Sequence, residues 1–180
     1  MSLIELPAGM IVTPGASADR NHRTLIALDE GLAEISVRRL TLGTTSVARA
    51  VDKIVSASDE LAAELGVDSE RILLGGRSFG GRACSLAVAE GLPAAGLALL
   101  SYPLHPPGKP EKLRVDHFPS IGVPTLFVSG EKDPFGSPAE FAEHVGEIAG
   151  RTEMSWIPGG HSPKDDEEVV QLVRGWLGIA

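Results

Sequence analysis

The chain has 180 residues, 43% of them apolar and 22% charged, a composition that fits one globular domain over residues 1–180 and excludes disordered or collagen-like chains. Sixteen Lys and Arg against 24 Asp and Glu give a net charge of −8, the wrong sign for a nucleic-acid binder, and 4% aromatics leave few stacking platforms. No apolar run approaches the roughly 20 residues of a membrane span, Met1-Ser2-Leu3-Ile4-Glu5 lacks a signal-peptide layout, and the lone Cys84 supports neither a disulfide nor a thiolate zinc site. The expectation is an acidic cytoplasmic protein with no membrane or nucleic-acid partner, its oligomeric state open.

Short apolar runs predict strands at Met10–Thr13, Ile35–Leu40, Ile72–Gly75, Leu97–Ser101, Thr125–Ser129 and Glu153–Ile157. Most end at Gly, Pro or Ser, as strands buried on both faces do. Between them, residues 46–65 place Val47, Val51, Ile54, Val55, Leu61, Ala62 and Leu65 on one helical stripe, with Gly66 as the stop. Tyr102–Pro124, rich in proline and basic residues, reads as an irregular loop without a lid. Ser137-Pro138-Ala139-Glu140 has capping-box spacing, and Phe141, Val145 and Ile148 follow at helical intervals. The last helix is expected to open at Ser162-Pro163, its acidic residues 165–168 forming a solvated start favoured by the macrodipole. Alternating strands and helices argue for an α/β fold of about six mainly parallel strands covered on both faces.

Gly76-Arg77-Ser78-Phe79-Gly80 matches G-x-S-x-G, with an apolar strand before it and an apolar helix after. A serine hydroxyl attacks only if it projects above the sheet, and the sharp strand-to-helix turn that lifts it crowds the positions two before and two after. Glycine at 76 and 80 therefore has a steric reason. The turn also sets Ser78 at a helix N-terminus, where the Phe79 N–H is a candidate oxyanion donor. The second donor is expected from the loop after the first strand, at the main chain of Ala16 or a neighbour. Walker A fails because Gly81-Arg82 stands where lysine and Ser/Thr belong.

A serine nucleophile needs a histidine base and a carboxylate to orient it. Asp133 follows the Thr125–Ser129 strand, and His161 follows Gly159-Gly160 after the next strand. Both thus lie beyond carboxyl ends of strands, on the edge that carries Ser78 and where open α/β sheets bind ligands. Chain order disfavours His105 and His117, His144 falls inside a helix and is expected to be exposed, and Glu131 is a substitute acid. Cys84, among Ala83, Leu86, Ala87 and Val88, reads as a buried small hydrophobe.

The segments Gly75-Gly76-Arg77-Ser78-Phe79-Gly80-Gly81-Arg82, Tyr102–Arg114 and Pro124–Gly136 together resemble the small α/β-hydrolase family related to dienelactone hydrolases, whose relatives include a testis-expressed branch and a subunit of a chromatin acetyltransferase complex. The proline-rich Tyr102–Arg114 motif is the most specific of the three. The resemblance implies a minimal α/β-hydrolase fold, with Ser78 as nucleophile, Asp133 as acid and His161 as base. Two departures stand out: Pro14-Gly15 occupies the first oxyanion loop where the family usually carries His-Gly, and the segment between residues 40 and 46 is short.

The expected activity is serine hydrolysis of a small ester, thioester or lactone through an acyl-enzyme, with a small-molecule acyl substrate and no metal or organic cofactor. Tyr102 and His105 are candidate substrate contacts. Lys109, Lys112 and Arg114 read more readily as a solvated loop than as an anion-steering set. The competing readings are a non-catalytic binding or scaffold protein that keeps the fold, and a perhydrolase using the same triad.

Overall fold

The computed structural model describes residues 5–180. Met1-Ser2-Leu3-Ile4, read above for a signal peptide, lies outside them. Six strands form one sheet: β1 (Gly9–Thr13), β2 (Ser36–Arg39), β3 (Ile72–Arg77), β4 (Gly96–Leu100), β5 (Thr125–Gly130) and β6 (Thr152–Ile157). They stand in the order β2-β1-β3-β4-β5-β6, and every pairing is parallel. Among the described residues five α-helices cover it: α1 (Arg23–Gly31), α2 (Val47–Leu65), α3 (Phe79–Ala89), α4 (Pro138–His144) and α5 (Asp166–Leu177).

The pleat explains why the central strands read as unbroken apolar runs. Successive side chains point to opposite faces, and here both faces are dry. Ile11, Leu74, Leu97, Leu99 and Phe127 join one core with residues of α2, α3 and α4. Met10, Val12, Leu73, Ala98, Leu100, Leu126 and Val128 join the other, against α1 and α5. The edge strands differ: β2 has no fully buried residue and β6 has one, Ile157. No described helix is long and apolar enough to cross a membrane.

Most helix boundaries follow local chemistry. Ser46 accepts a bond from the Arg49 N–H to open α2, and Gly66 closes it in the left-handed conformation at φ 66°. Ser137 and Glu140 form the expected capping box at α4. Helix α5 starts three residues later than the expected Ser162-Pro163 opening. Asp165 is its cap, accepting from the Glu168 N–H at 2.9 Å. The preceding carbonyls are already engaged by arginines: Arg77 takes that of His161, and Arg23 takes those of Pro163 and Lys164. Asp166 is correspondingly not a free surface acid; it bonds Thr24 Oγ1 at 2.6 Å and pairs with Arg23. Helix α1 had no counterpart in the sequence reading.

The strand order reverses between β1 and β3, because the chain leaves β1 toward one edge and β3 toward the other. Loops therefore diverge there and open a crevice at the carboxyl ends. Residues 102–124 carry no α-helix, only a single 3-10 turn at Phe118–Ser120. That stretch is held down by rings. Tyr102, Phe118 and Phe141 surround Phe127 at centroid distances of 5.8, 6.2 and 5.6 Å, each pair adding about 0.5–1.5 kcal/mol beyond burial.

Candidate active site

Ser78 stands between β3 and α3 with φ 51° and ψ −118°. The conformation is pinned from both sides. The Ser78 N–H donates to the Leu100 carbonyl at 2.8 Å, and its carbonyl accepts from the Arg82 N–H at 3.0 Å. The glycines are required sterically. A Cβ at Gly76 would sit 2.7 Å from main-chain atoms of Gly80 and Gly81 and collide with Thr13 Oγ1, while one at Gly80 would collide with Thr13 and the Pro14 carbonyl. Thr13 donates to the Gly75 carbonyl at 3.1 Å, so the end of β1 is clasped against the turn. The first N–H groups of α3 have no intrahelical acceptor and present the positive end of the helix dipole beside Ser78.

Ser78, His161 and Asp133 are joined by one continuous chain of hydrogen bonds. His161 Nε2 lies 2.8 Å from Ser78 Oγ, and His161 Nδ1 lies 2.9 and 3.0 Å from the Asp133 carboxylate oxygens. Asp133 is buried, and its Oδ1 also accepts from the Phe135 N–H at 2.8 Å. The two loops are laced together, since Glu131 N–H donates to the Ile157 carbonyl at 3.0 Å and Lys132 N–H to that of Gly159 at 2.8 Å. Gly130 permits this approach: a Cβ there would lie 2.6 Å from the Gly159 carbonyl oxygen. Phe135 stacks on the His161 ring at 3.9 Å, and Arg77 Nη2 donates to the His161 carbonyl at 2.7 Å and to Ser162 Oγ. Glu131, the substitute acid, is exposed and outside the chain of bonds.

The hydroxyl faces a cleft of about 570 Å³ lined by Gly15, Ala16, Ser78, Phe79, Phe135 and His161 among others. Pro14-Gly15 brings the first loop close, with a Gly15 Cβ position 3.8 Å from Ser78 Cβ. Two expectations are corrected here. Tyr102 and His105 are buried and do not line the cleft. The Tyr102 hydroxyl donates to the Arg114 carbonyl at 2.7 Å, and His105 is spent on the Pro106 carbonyl and Glu140 at 2.8 and 3.0 Å. Both are framework residues, committed before a substrate arrives.

The remaining histidines are engaged elsewhere. His117 Nε2 bonds Ser85 Oγ at 2.8 Å, and burial, aided by the Arg82 charge, lowers its pKa to about 4. His144 is half-buried and pairs with Glu147 at 2.9 Å, where exposure was expected. His22 caps α1 and is lowered by burial and by the Arg77 and Arg23 charges. Cys84 is fully buried as expected, its thiol raised to about 12 by burial.

An alpha/beta hydrolase domain family matches residues 8–168. The chain belongs to that family. Solved structures share its fold at low identity. A dienelactone hydrolase from Anabaena variabilis is 18% identical, with a TM-score of 0.78 over 96% of this chain and 86% of that one. Est1E from Butyrivibrio proteoclasticus, solved with ferulic acid, is 17% identical, with a TM-score of 0.75 over 96% and 88%. SOBER1 from Arabidopsis thaliana is 18% identical, with a TM-score of 0.67 over 95% and 97%. Hydrolysis is the general class of activity that this alpha/beta hydrolase domain supports.

Three features of this family member escaped the sequence reading. Phe135 as a platform for His161 sits two residues past Asp133, where an aromatic carries no pattern of its own. Arg77 as a brace for the His161 loop was visible as a cation ending a strand otherwise buried on both faces. Thr13 as the clasp of the turn depends on the β1–β3 register, in which Thr13 pairs with Gly76.

Proposed function

We propose that the chain is a serine hydrolase that cleaves a small ester, thioester or lactone through Ser78, His161 and Asp133. The observation that carries this reading is the unbroken sequence of contacts from the Ser78 hydroxyl through the His161 ring to a buried carboxylate, opening on a cleft at a helix N-terminus. With Nδ1–H donating to Asp133, Nε2 is left as the acceptor for the serine proton. Ser78 Oγ then bonds to the acyl carbon as His161 Nε2 takes that proton. The carbonyl oxygen becomes an oxyanion, for which the Phe79 N–H and a main-chain N–H at Ala16 are the proposed donors. Collapse breaks the carbon–leaving-group bond, and His161 returns the proton to the departing oxygen or sulfur. Water, deprotonated by His161, attacks the acyl-enzyme and releases the acid and free Ser78. Asp133 holds the ring in this tautomer and stabilises the imidazolium; it does not itself take the proton.

The test is p-nitrophenyl acetate turnover. Ser78→Ala is expected to lower kcat by about 10⁴-fold or more, with the far-UV circular dichroism of the wild type retained. Turnover that survives in Ser78→Ala would mean another nucleophile.

A further inference from the structure

Among the described residues, the cleft that holds Ser78 is lined by three arginines, Arg77, Arg82 and Arg114, and by no aspartate or glutamate. Arg77 is engaged with the His161 loop, and the Asp133 and Asp166 charges act on it. Arg82 and Arg114 have no such company. Among the described residues neither forms an ion pair, although five other arginines of the chain do. Arg82 Nε is buried without a hydrogen-bond partner. The two guanidiniums are near enough to repel each other: burial first, and then the Arg82 charge, push Arg114 below its ordinary value. Both remain charged, since guanidinium does not deprotonate in proteins.

Each cation has a fixed base. Arg82 lies in the first turn of α3, four residues beyond Ser78 and so about 6 Å along the helix axis. Arg114 has its main chain tied on both sides, its N–H to the Leu104 carbonyl at 2.8 Å and its carbonyl to the Tyr102 hydroxyl at 2.7 Å. The two lysines of the same loop, Lys109 and Lys112, are exposed and do not line the cleft, so the solvated-loop expectation holds for them and fails for Arg114. Two cations on one cleft, with no ion-paired carboxylate among the described residues, make this part of a chain of net charge −8 locally positive.

We infer that Arg82 and Arg114 bind an anionic group, a carboxylate or a phosphate, on the substrate that Ser78 cleaves. The planar forks of two guanidiniums suit both oxyanions through paired charge-assisted hydrogen bonds. Ser78, Arg82 and Arg114 line one cleft, so the anion and the scissile carbonyl belong to one small substrate, a charged ester or thioester, with the anion recognised in the ground state. This rests on the serine-hydrolase reading.

The experiment compares kcat/KM for 4-acetoxybenzoate and 4-acetoxyphenyl phosphate with that for the neutral methyl 4-acetoxybenzoate. At low salt the wild type is expected to prefer an anionic ester at least tenfold after correction for intrinsic reactivity. That preference is expected to fall about tenfold in Arg82→Met and in Arg114→Met, to shrink with added salt, and to persist in Arg151→Met, an exposed arginine outside the cleft. Whichever anion gains more identifies the group recognised. Calorimetric binding of both anionic esters to Ser78→Ala, with and without Arg114→Met, reads the site independently of turnover. Ser78-dependent turnover of the neutral ester with no arginine-dependent preference would overturn the anion site and leave the hydrolase reading standing. Arginine-dependent binding without turnover of any ester would support the anion site and reject the hydrolase reading. Absence of arginine-dependent binding overturns the inference.

Discussion

Ser78 is held in a backbone conformation that glycine adopts freely and a residue with a Cβ only under strain, and this makes the strain measurable. At φ 51° and ψ −118° the cost is about 1–3 kcal/mol. Comparing Ser78→Gly with Ser78→Ala isolates the effect, because both variants lose the bond to His161 and differ only in the Cβ. Glycine returns the strain but loses about 0.4–1 kcal/mol through the greater freedom of its unfolded chain. The net expectation is that Ser78→Gly is more stable than Ser78→Ala by about 0.5–2 kcal/mol, each kcal/mol moving Tm by about 2–4 °C in a chain of this size. Calorimetric Tm and urea midpoints on the two variants measure it. A Ser78→Gly protein that melts at or below Ser78→Ala would refute the strain argument, and with it the idea that the turn is held against its own preference to lift the hydroxyl.

Asp133→Asn is expected to lower kcat on p-nitrophenyl acetate by about 10³–10⁴-fold, because the ring then settles in the wrong tautomer; an unchanged kcat would mean that the acid is elsewhere. Gly76→Ala is expected to destabilise the fold by about 2–3 kcal/mol or more, since the atoms it meets at 2.7 Å are main chain and cannot yield; a wild-type urea midpoint would contradict the packing. His117, lowered from 6.5 to about 4, binds fewer protons folded than unfolded. Its contribution is therefore complete above about pH 6.5 and lost as pH falls through 4, worth about 1–2 kcal/mol after discounting for its partial exposure. Urea midpoints at pH 7 and 4.5 should converge in His117→Gln relative to the wild type, and an equal acid loss in both would remove His117 from the account.

Much of this was legible because it is periodic or sterically forced. Strands dry on both faces produce apolar runs such as 72–74 and 97–100, and glycine at 76 and 80 marks a turn that no other residue fits. The order Ser78, Asp133, His161 placed three side chains at one sheet edge, where a parallel sheet brings the ends of its strands together. The illegible parts depend on distance in space. Tyr102 and His105 looked like contacts because they lie in the most distinctive segment, yet their polar atoms are consumed in holding that segment down. Nothing local announces that Arg23 and Arg77 occupy the carbonyls ahead of α5 and delay its start to Asp166. Arg82 and Arg114, 32 positions apart in sequence, meet only after α3 and the 102–114 loop pack across the same cleft.

The reactivity of one hydroxyl decides the central claim. Incubated with an alkyl fluorophosphonate at neutral pH and examined by intact mass and peptide mapping, the folded protein is expected to gain one adduct, on Ser78. His161→Ala should suppress that labelling by several orders of magnitude in rate. A folded wild-type protein that takes up no label at Ser78, or labels at the same rate without His161, would contradict the account and leave a hydrolase fold that binds rather than cleaves.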